Sequence, residues 1–226
     1  VSTIKHAVIA AAGLGSRLGL GKTKCLLEID GRPLISYLLT LLEDVEDVRV
    51  VVGFQEDEVM NAVLKYRKDV IFVRNPEYLT TSTLASYWLG AQGVREHCLY
   101  MDADILFEPA SFQQFLTFCD QHLDENVIAV TKAKTKDAVF VELTEGRVTH
   151  FTREQEMENE WANLCYIHPE LLVKQGDSVY QQLSLFLPLT AQSIVSYEID
   201  TKSDMEQALL SQIARDDRYL SGCHSF

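Results

Sequence analysis

Three stretches of this chain combine residue types and spacings suited to chemistry. The first is Ala10-Ala11-Ala12-Gly13-Leu14-Gly15-Ser16-Arg17-Leu18-Gly19, with Lys22 and Lys24 close behind. Small residues and glycines let the backbone approach a ligand, and their N–H groups can then point at phosphate oxygens. Arg17 adds a planar cation matched to phosphate. The second is Asp102-Ala103-Asp104, set inside the apolar run Leu99–Phe107. Aspartate suits strands poorly and is costly in a core unless paired or metal-bound. Hard carboxylate oxygens suit Mg²⁺, which keeps waters and bridges to phosphates. The third, Tyr197-Glu198-Ile199-Asp200-Thr201, ends a strand-like run with a further carboxylate at Asp200.

The elements that must position these groups follow from hydrophobic periodicity. Ala7–Ala12, Val48–Val52, Val70–Val73 and Val127–Val130 are short apolar runs of the kind buried on both faces of a sheet. Between them lie helical patterns: a face of Leu34, Ile35, Leu38, Leu41 and Leu42 after Pro33, then Glu56–Arg67, Thr81–Gln92 and Pro109–His122. This alternation predicts an α/β fold with a mostly parallel sheet and helices on both faces, whose ligands bind at the carboxyl ends of strands. Beyond residue 135 the pattern turns β-rich. Ala138–Leu143 and Val148–Phe151 flank Glu145-Gly146 as a hairpin, Arg153–Glu160 is a polar loop and Ala162–Ile167 a strand. Ser178–Leu187 follows as a helix and Ile194–Ile199 as a strand. Ser203–Ile213 is a last helix with Ser203 as its cap. We expect one domain over 1–226, divided into a nucleotide-binding half over about 1–135, an acceptor lobe over about 136–200 and a C-terminal helix and tail over 201–226.

Two familiar phosphate motifs do not fit the glycine loop. A dinucleotide fingerprint needs glycine where Leu18 stands. A P-loop ending in Gly21-Lys22-Thr23 needs glycine where Ser16 stands, and Lys24–Ile29 reads as extended instead of helical. Ala11-Ala12-Gly13-Leu14-Gly15-Ser16-Arg17-Leu18, followed by Lys24-Cys25-Leu26-Leu27 and Gly31-Arg32-Pro33-Leu34-Ile35, resembles instead the signature of the nucleotidyltransferases that make nucleotide-activated sugars and alcohols. Their fold is a Rossmann-like three-layer α/β/α sandwich with a smaller β-rich acceptor lobe.

That resemblance implies a division of labour. The glycine loop wraps the triphosphate through Ala11, Ala12, Gly13, Gly15 and Ser16, with Arg17 and Lys24 catalytic and Lys22 assisting. The small-residue–Asp–apolar pattern makes Asp104 a Mg²⁺ ligand, with Asp102 supporting the nucleotide. The two would point to opposite faces of a regular strand. Asp200, in a strand–Asp–Thr–helix context, becomes the second metal ligand. In Asn75–Ser86, the hydroxyls of Thr81, Ser82 and Ser86 become candidates for reading base and ribose. Glu160, Trp161 and Asn163 fall in the acceptor region, where an aromatic face beside carboxylates would hold an ammonium group. Asp-Ala-Asp resembles the phosphocholine cytidylyltransferase branch, which implies CTP and a small phosphorylated alcohol or phosphonate. A sugar-1-phosphate enzyme using another NTP, and a non-catalytic nucleotide-binding module, are the alternatives.

Composition narrows the partners. Thirty-three acidic against 20 basic residues give a net charge of −13, a surface that repels polyanions, so no nucleic-acid partner is expected. No apolar run approaches the roughly 20 residues of a membrane span, and no basic-then-apolar leader is evident. The five cysteines are scattered, with no CxxC pair, as suits reduced thiols in the cytoplasm.

Overall fold

A computed structural model describes residues 3–14, 21–134 and 137–221. The first half alternates as the periodicity predicts. Strand β1 (His6–Ala11) leads through a 3₁₀ turn (Lys24–Leu26) and the short pair β2 (Glu28–Ile29) and β3 (Arg32–Pro33) into helix α1 (Leu34–Leu41). Then come β4 (Asp47–Val52), α2 (Glu56–Tyr66), β5 (Val70–Arg74), α3 (Thr83–Gly90), β6 (Cys98–Asp102), β7 (Ile105–Phe107), α4 (Pro109–Gln121) and β8 (Val127–Lys132). The second half holds β9 (Phe140–Thr144), β10 (Arg147–Thr152), β11 (Asn159–Ile167), α5 (Val179–Ser184), β12 (Leu189–Ser193), β13 (Ser196–Glu198), α6 (Lys202–Leu210) and α7 (Asp217–Ser221).

The main sheet has the order β5-β4-β1-β6-β11-β8-β12-β10-β9. Pairings are parallel from β5 to β6 and between β8 and β12, so only β11 and β10 run against the rest. The architecture is therefore the expected α/β sandwich with a mostly parallel sheet. Beyond β6 the sheet curls, because β9 pairs with β11 as well as with β10. The hairpin turn falls at Glu145 (φ 50°) and Gly146 (φ 76°), consecutive left-handed residues that match the twist of the flanking strands.

Ala7, Ile9 and Ala11 of β1 face one core with α1, α2 and α4 residues such as Leu38, Val59 and Phe112. Val8 faces a second core with Leu84 and Tyr87 of α3. Helix α3 lies close against the sheet at Gly90, where an added Cβ would stand 2.4 Å from Val8 Cγ1. A third core joins Leu34 and Tyr37 of α1 to Leu106, Ile199, Ala208 and Tyr219. It seats the C-terminal helices against β7.

Four local expectations are corrected. Lys24–Leu26 is a 3₁₀ turn, not part of an extended run; Leu27 N–H closes it on Lys24 O at 3.0 Å. The run Leu99–Phe107 breaks at Ala103-Asp104: β6 stays in the main sheet, while β7 leaves it to pair with β13. Of Ile194–Ile199 only Ser196–Glu198 is strand: this is β13, which pairs with β7, while β12 in the main sheet ends before it. The last long helix is capped by Thr201, not Ser203. Thr201 Oγ1 accepts from Asp204 N–H at 3.2 Å while Asp204 Oδ2 accepts from Thr201 N–H at 2.7 Å, a reciprocal capping box.

Candidate active site

The break after β6 builds the site. Asp102 closes β6, and Ala103 N–H turns back to Ala10 O at 3.1 Å. Asp104 O then accepts from Ile199 N–H at 3.0 Å, and the antiparallel register sets Glu198 opposite Ile105. Residues almost a hundred positions apart are thereby brought together. Carboxylate oxygens of Asp104, Glu198 and Asp200 lie within 4.8 Å of one another. The capping box steadies the last of these, since Asp200 N–H also donates to Asp204 Oδ2 at 3.1 Å.

Lys24, presented by the 3₁₀ turn, reaches this cluster. Its Nζ donates to Asp104 Oδ2 at 3.0 Å and also to Asp200 Oδ1. Burial alone would lower the pKa of this ammonium, but the charge of Asp104 and the bond to Asp200 hold it above its usual range. Burial and the neighbouring charges of Asp104 and Asp200 push Glu198 well above the usual carboxylate range. Asp102 is pushed up to about 7, chiefly by burial and then by Asp104. So many carboxyls around one ammonium form a site short of positive charge. Hard oxygen donors at this spacing fit a divalent cation such as Mg²⁺.

The cluster forms part of the floor of a cleft of about 720 Å³. One wall is the β1 loop: Ala11, Ala12 and Gly13 line it, as do Lys24 and Asp102. Gln55, itself at φ 51°, pins the far side of that loop. Its Oε1 accepts from Thr23 N–H at 2.9 Å and its Nε2 donates to Gly21 O at 3.0 Å. Gly15, Ser16 and Arg17 lie outside the described residues. Lys22 is exposed and is absent from the lining.

A second wall is the loop before α3. Buried Asn75 donates to Thr81 Oγ1 at 3.1 Å and Ser86 Oγ at 3.2 Å, so both hydroxyls are held in place. Ser82 occupies the N-cap position of α3 without a side-chain cap bond; its hydroxyl donates to Gly176 O at 3.4 Å. All of these line the cleft. From the same helix Tyr87 O–H donates to Asp102 Oδ1 at 2.7 Å. The contact gives Asp102 a partner that tethers it to α3, while Asp104 faces the acidic cluster.

The third wall comes from the second half of the chain. Trp161 and Asn163 of β11 line it. Asn163 is left-handed at φ 48° and its Nδ2 donates to Glu198 Oε2 at 3.0 Å. Glu160 points elsewhere: it is buried, accepts from Lys134 N–H at 3.1 Å and does not line the cleft. The adjacent acids of the polar loop are exposed, and Glu158 pairs with Lys132.

The profile described as the MobA-like NTP transferase domain matches residues 7–183. The chain belongs to that family. It is thus a nucleotidyltransferase domain, and the carboxylate cluster, the glycine turn and the hydroxyl-rich loop are the features of this transferase that face one cleft. Its sequence is 34% identical over 116 residues to a CMP-5'-(3-aminopropyl)phosphonate synthase of Streptomyces rubellomurinus, a match covering 48% of this chain and 18% of that protein. The chain therefore spans less than a fifth of the length of that relative. The fold is similar to that of CTP:phosphocholine cytidylyltransferase from Streptococcus pneumoniae, with TM-score 0.75, 18% identity, and 92% and 99% of the two chains covered. It is equally similar to UDP-glucose pyrophosphorylase from Acinetobacter baumanii, with TM-score 0.76, 14% identity and 97% of each chain covered.

Several residues that build the site escaped the sequence reading. Glu198 could have been found, because it lies two residues before Asp200 on a strand and so shares its face. Tyr87 and Gln55 carry no such signal, since each acts through a contact made across the fold. Among the described residues no helix is long and apolar enough to cross a membrane.

Proposed function

We propose that this transferase moves CMP from CTP to a small phosphorylated alcohol or phosphonate, with Mg²⁺ as cofactor and pyrophosphate as the product released. The observation that carries this reading is the meeting of Asp104, Glu198, Asp200 and Lys24 on the floor of a cleft walled by the glycine turn and the Thr81–Ser86 hydroxyls. Asp104 and Asp200, with Glu198 as a third donor, would hold the cation, which when bound supplies charge neutralisation at phosphate oxygens. Ala11, Ala12 and Gly13 would offer backbone to the triphosphate, joined by Gly15, Ser16 and Arg17. Thr81, Ser82 and Ser86 would face the base and ribose. Trp161 and Asn163 would face the acceptor.

In the reaction an acceptor oxygen forms a bond to the α-phosphorus as the α–β phosphoanhydride bond breaks. A phosphate monoester is largely a dianion at neutral pH, its second pKa being near ~6. The attacking oxygen therefore needs no general base, and the residues supply positioning and charge compensation. Lys24 offsets the growing charge on pyrophosphate. Nucleotide and acceptor would fall to about 1–135 and 136–200, and the free, buried Cys25, Cys98, Cys119 and Cys165 suit the proposed cytoplasmic setting. The CMP-phosphonate relative and the phosphocholine enzyme both support CTP and a small amine-bearing acceptor. The pyrophosphorylase fold supports the other reading, a sugar 1-phosphate with UTP.

Pyrophosphate release with Mg²⁺ and each NTP, against phosphocholine, phosphoethanolamine, 2-aminoethylphosphonate and several sugar 1-phosphates, tests this. Release with CTP and an amino-alcohol phosphate or phosphonate is the expected result. Release with sugar phosphates alone would replace the acceptor, and binding of NTP without release from any pair would sink the enzymatic reading.

A further inference from the structure

The junction between β4 and α2 grips the glycine turn from behind. Gln55, the N-cap residue of α2, is left-handed at φ 51°, and its side chain makes no cap bond to its own helix. Such a backbone is unfavourable for a residue with a Cβ and persists where surrounding contacts hold it. Here both ends of the side-chain amide are committed to the turn: Oε1 accepts from Thr23 N–H at 2.9 Å and Nε2 donates to Gly21 O at 3.0 Å. Thr23 is 3% exposed, and its hydroxyl donates to Gly13 O at 3.3 Å. Beside Gln55, Phe54 N–H donates to Ala12 O at 3.1 Å. Ala12 and Gly13 on one side of the turn, and Gly21 and Thr23 on the other, are thus tied to a single junction.

Thr23 matters because it opens the 3₁₀ turn that presents Lys24. Its backbone is held from both sides. Its carbonyl accepts from Leu26 N–H at 3.1 Å within that turn, and its N–H is held by Gln55. Lys24 follows directly, with Nζ on Asp104 and Asp200. A lysine aimed at two carboxylates, and a backbone offered to phosphates, act best when fixed before the ligand arrives. Glutamine suits this because a neutral amide is donor and acceptor at once and adds no charge near a triphosphate. Gln55 itself does not line the cleft. We infer that Gln55 is a positioning residue for nucleotide transfer: its amide holds Gly21 and Thr23 so that the glycine turn and Lys24 stand ready for the triphosphate. The inference rests on the transfer reaction proposed above and deepens it by adding a residue that acts through the turn.

Two replacements separate the amide from the backbone. Gln55→Ala removes the amide and keeps a Cβ on left-handed backbone, whereas Gln55→Gly removes the amide and relieves the backbone. Both are expected to lower kcat/KM for CTP about 10-fold, the scale of one to two lost hydrogen bonds. The acceptor KM should stay within about two-fold, and the Tm of Gln55→Gly should be at least that of Gln55→Ala. Near-normal kcat/KM in Gln55→Gly would leave Gln55 a matter of backbone geometry alone and overturn the inference, as would an equal rise in the acceptor KM. Amide hydrogen exchange without nucleotide reads the brace directly. Thr23 N–H should exchange at least about 10-fold faster in both variants, and unchanged exchange overturns the brace. Calorimetric titration with CTP and Mg²⁺ needs no turnover: about 10-fold weaker binding by both variants supports the role, and binding equal to that of the wild type rejects it. A wild type that binds CTP with Mg²⁺ yet releases no pyrophosphate with any acceptor would sink the transfer reaction, while weaker binding by the variants would leave the brace standing.

Discussion

Lys24 shows how much one side chain does here. In the structure it bridges Asp104 and Asp200 and supplies the positive charge at the centre of the acidic floor. Replacing it with alanine leaves those carboxylates facing each other and removes the cation that bridges them. We expect Lys24→Ala to lower turnover by about 10²–10³-fold, the scale of losing one preorganised charge-stabilising group, with a far-ultraviolet circular dichroism spectrum like that of the wild type. Pyrophosphate release in single-turnover assays checks it, and near-normal release would remove Lys24 from the catalytic machinery. Asp104 and Asp200 stood out in the sequence as acids ending apolar runs, and the family resemblance singled them out as metal ligands and gave Lys24 its catalytic role. Glu198 was less visible. Its role depends on β13 pairing with β7, a contact between segments that local patterning cannot pair.

At the scale of the element, two joints hold the site in register. One is the N-terminus of α6, where Thr201 and Asp204 exchange hydrogen bonds and Asp204 also takes the N–H of Asp200. Thr201→Ala removes the hydroxyl cap, at a cost of about 1 kcal/mol, which for a chain of this size lowers Tm by about 2–4 °C. Calorimetry reads the shift, and an unchanged Tm would show that water replaces the cap. The other joint is at the opposite end of the sheet. Burial resists ionisation of Asp47, but hydrogen bonds from Arg49 and His6 overcome it and hold the carboxyl below its ordinary value. Arg49 also donates to Gly90 O at 3.0 Å and Gln92 O at 2.8 Å, which ties the end of α3 to β4. Because the folded pKa is depressed, this stabilisation is complete above the unfolded value near ~4 and is lost as pH falls through the folded value. Asp47→Asn is therefore less stable at neutral pH, and its stability declines less between about pH 5 and pH 2. Urea unfolding at several pH values measures the difference, and parallel curves for the two proteins would contradict it.

Across the whole molecule, the acidic floor sits where the halves of the chain meet. β6 and the β1 turn come from the first half, β11 and β13 from the second, and the third core seats α6 and α7 behind them. Tyr219 O–H donates to Phe107 O at 2.5 Å and Arg32 donates to Tyr219 O, so the C-terminal helices are fastened to β7 and α1. A cation bound by Asp104, Glu198 and Asp200 would cross-link these parts and relieve repulsion among them. Saturating Mg²⁺ should then raise Tm by several degrees, since ligand at 100 times its Kd contributes about 2.7 kcal/mol. The rise should vanish in Asp104→Asn and under chelation, which should also abolish pyrophosphate release. A rise of equal size with Na⁺ at matched ionic strength would assign it to general screening.

The sequence alone determined the α/β class, the order of the first eight strands apart from the short β2–β3 pair and the split at Asp104, and the residues most out of place in their elements. These are consequences of burial and backbone preference acting over a few residues. The tertiary structure decided which carboxylates meet, that β7 leaves the main sheet for β13, that Thr201 and not Ser203 caps α6, and that Gln55 reaches Gly21 and Thr23. Each of those depends on strand pairing or packing between segments far apart in the chain. Local periodicity identifies the segments, but their partners are selected by the free energy of the assembled core.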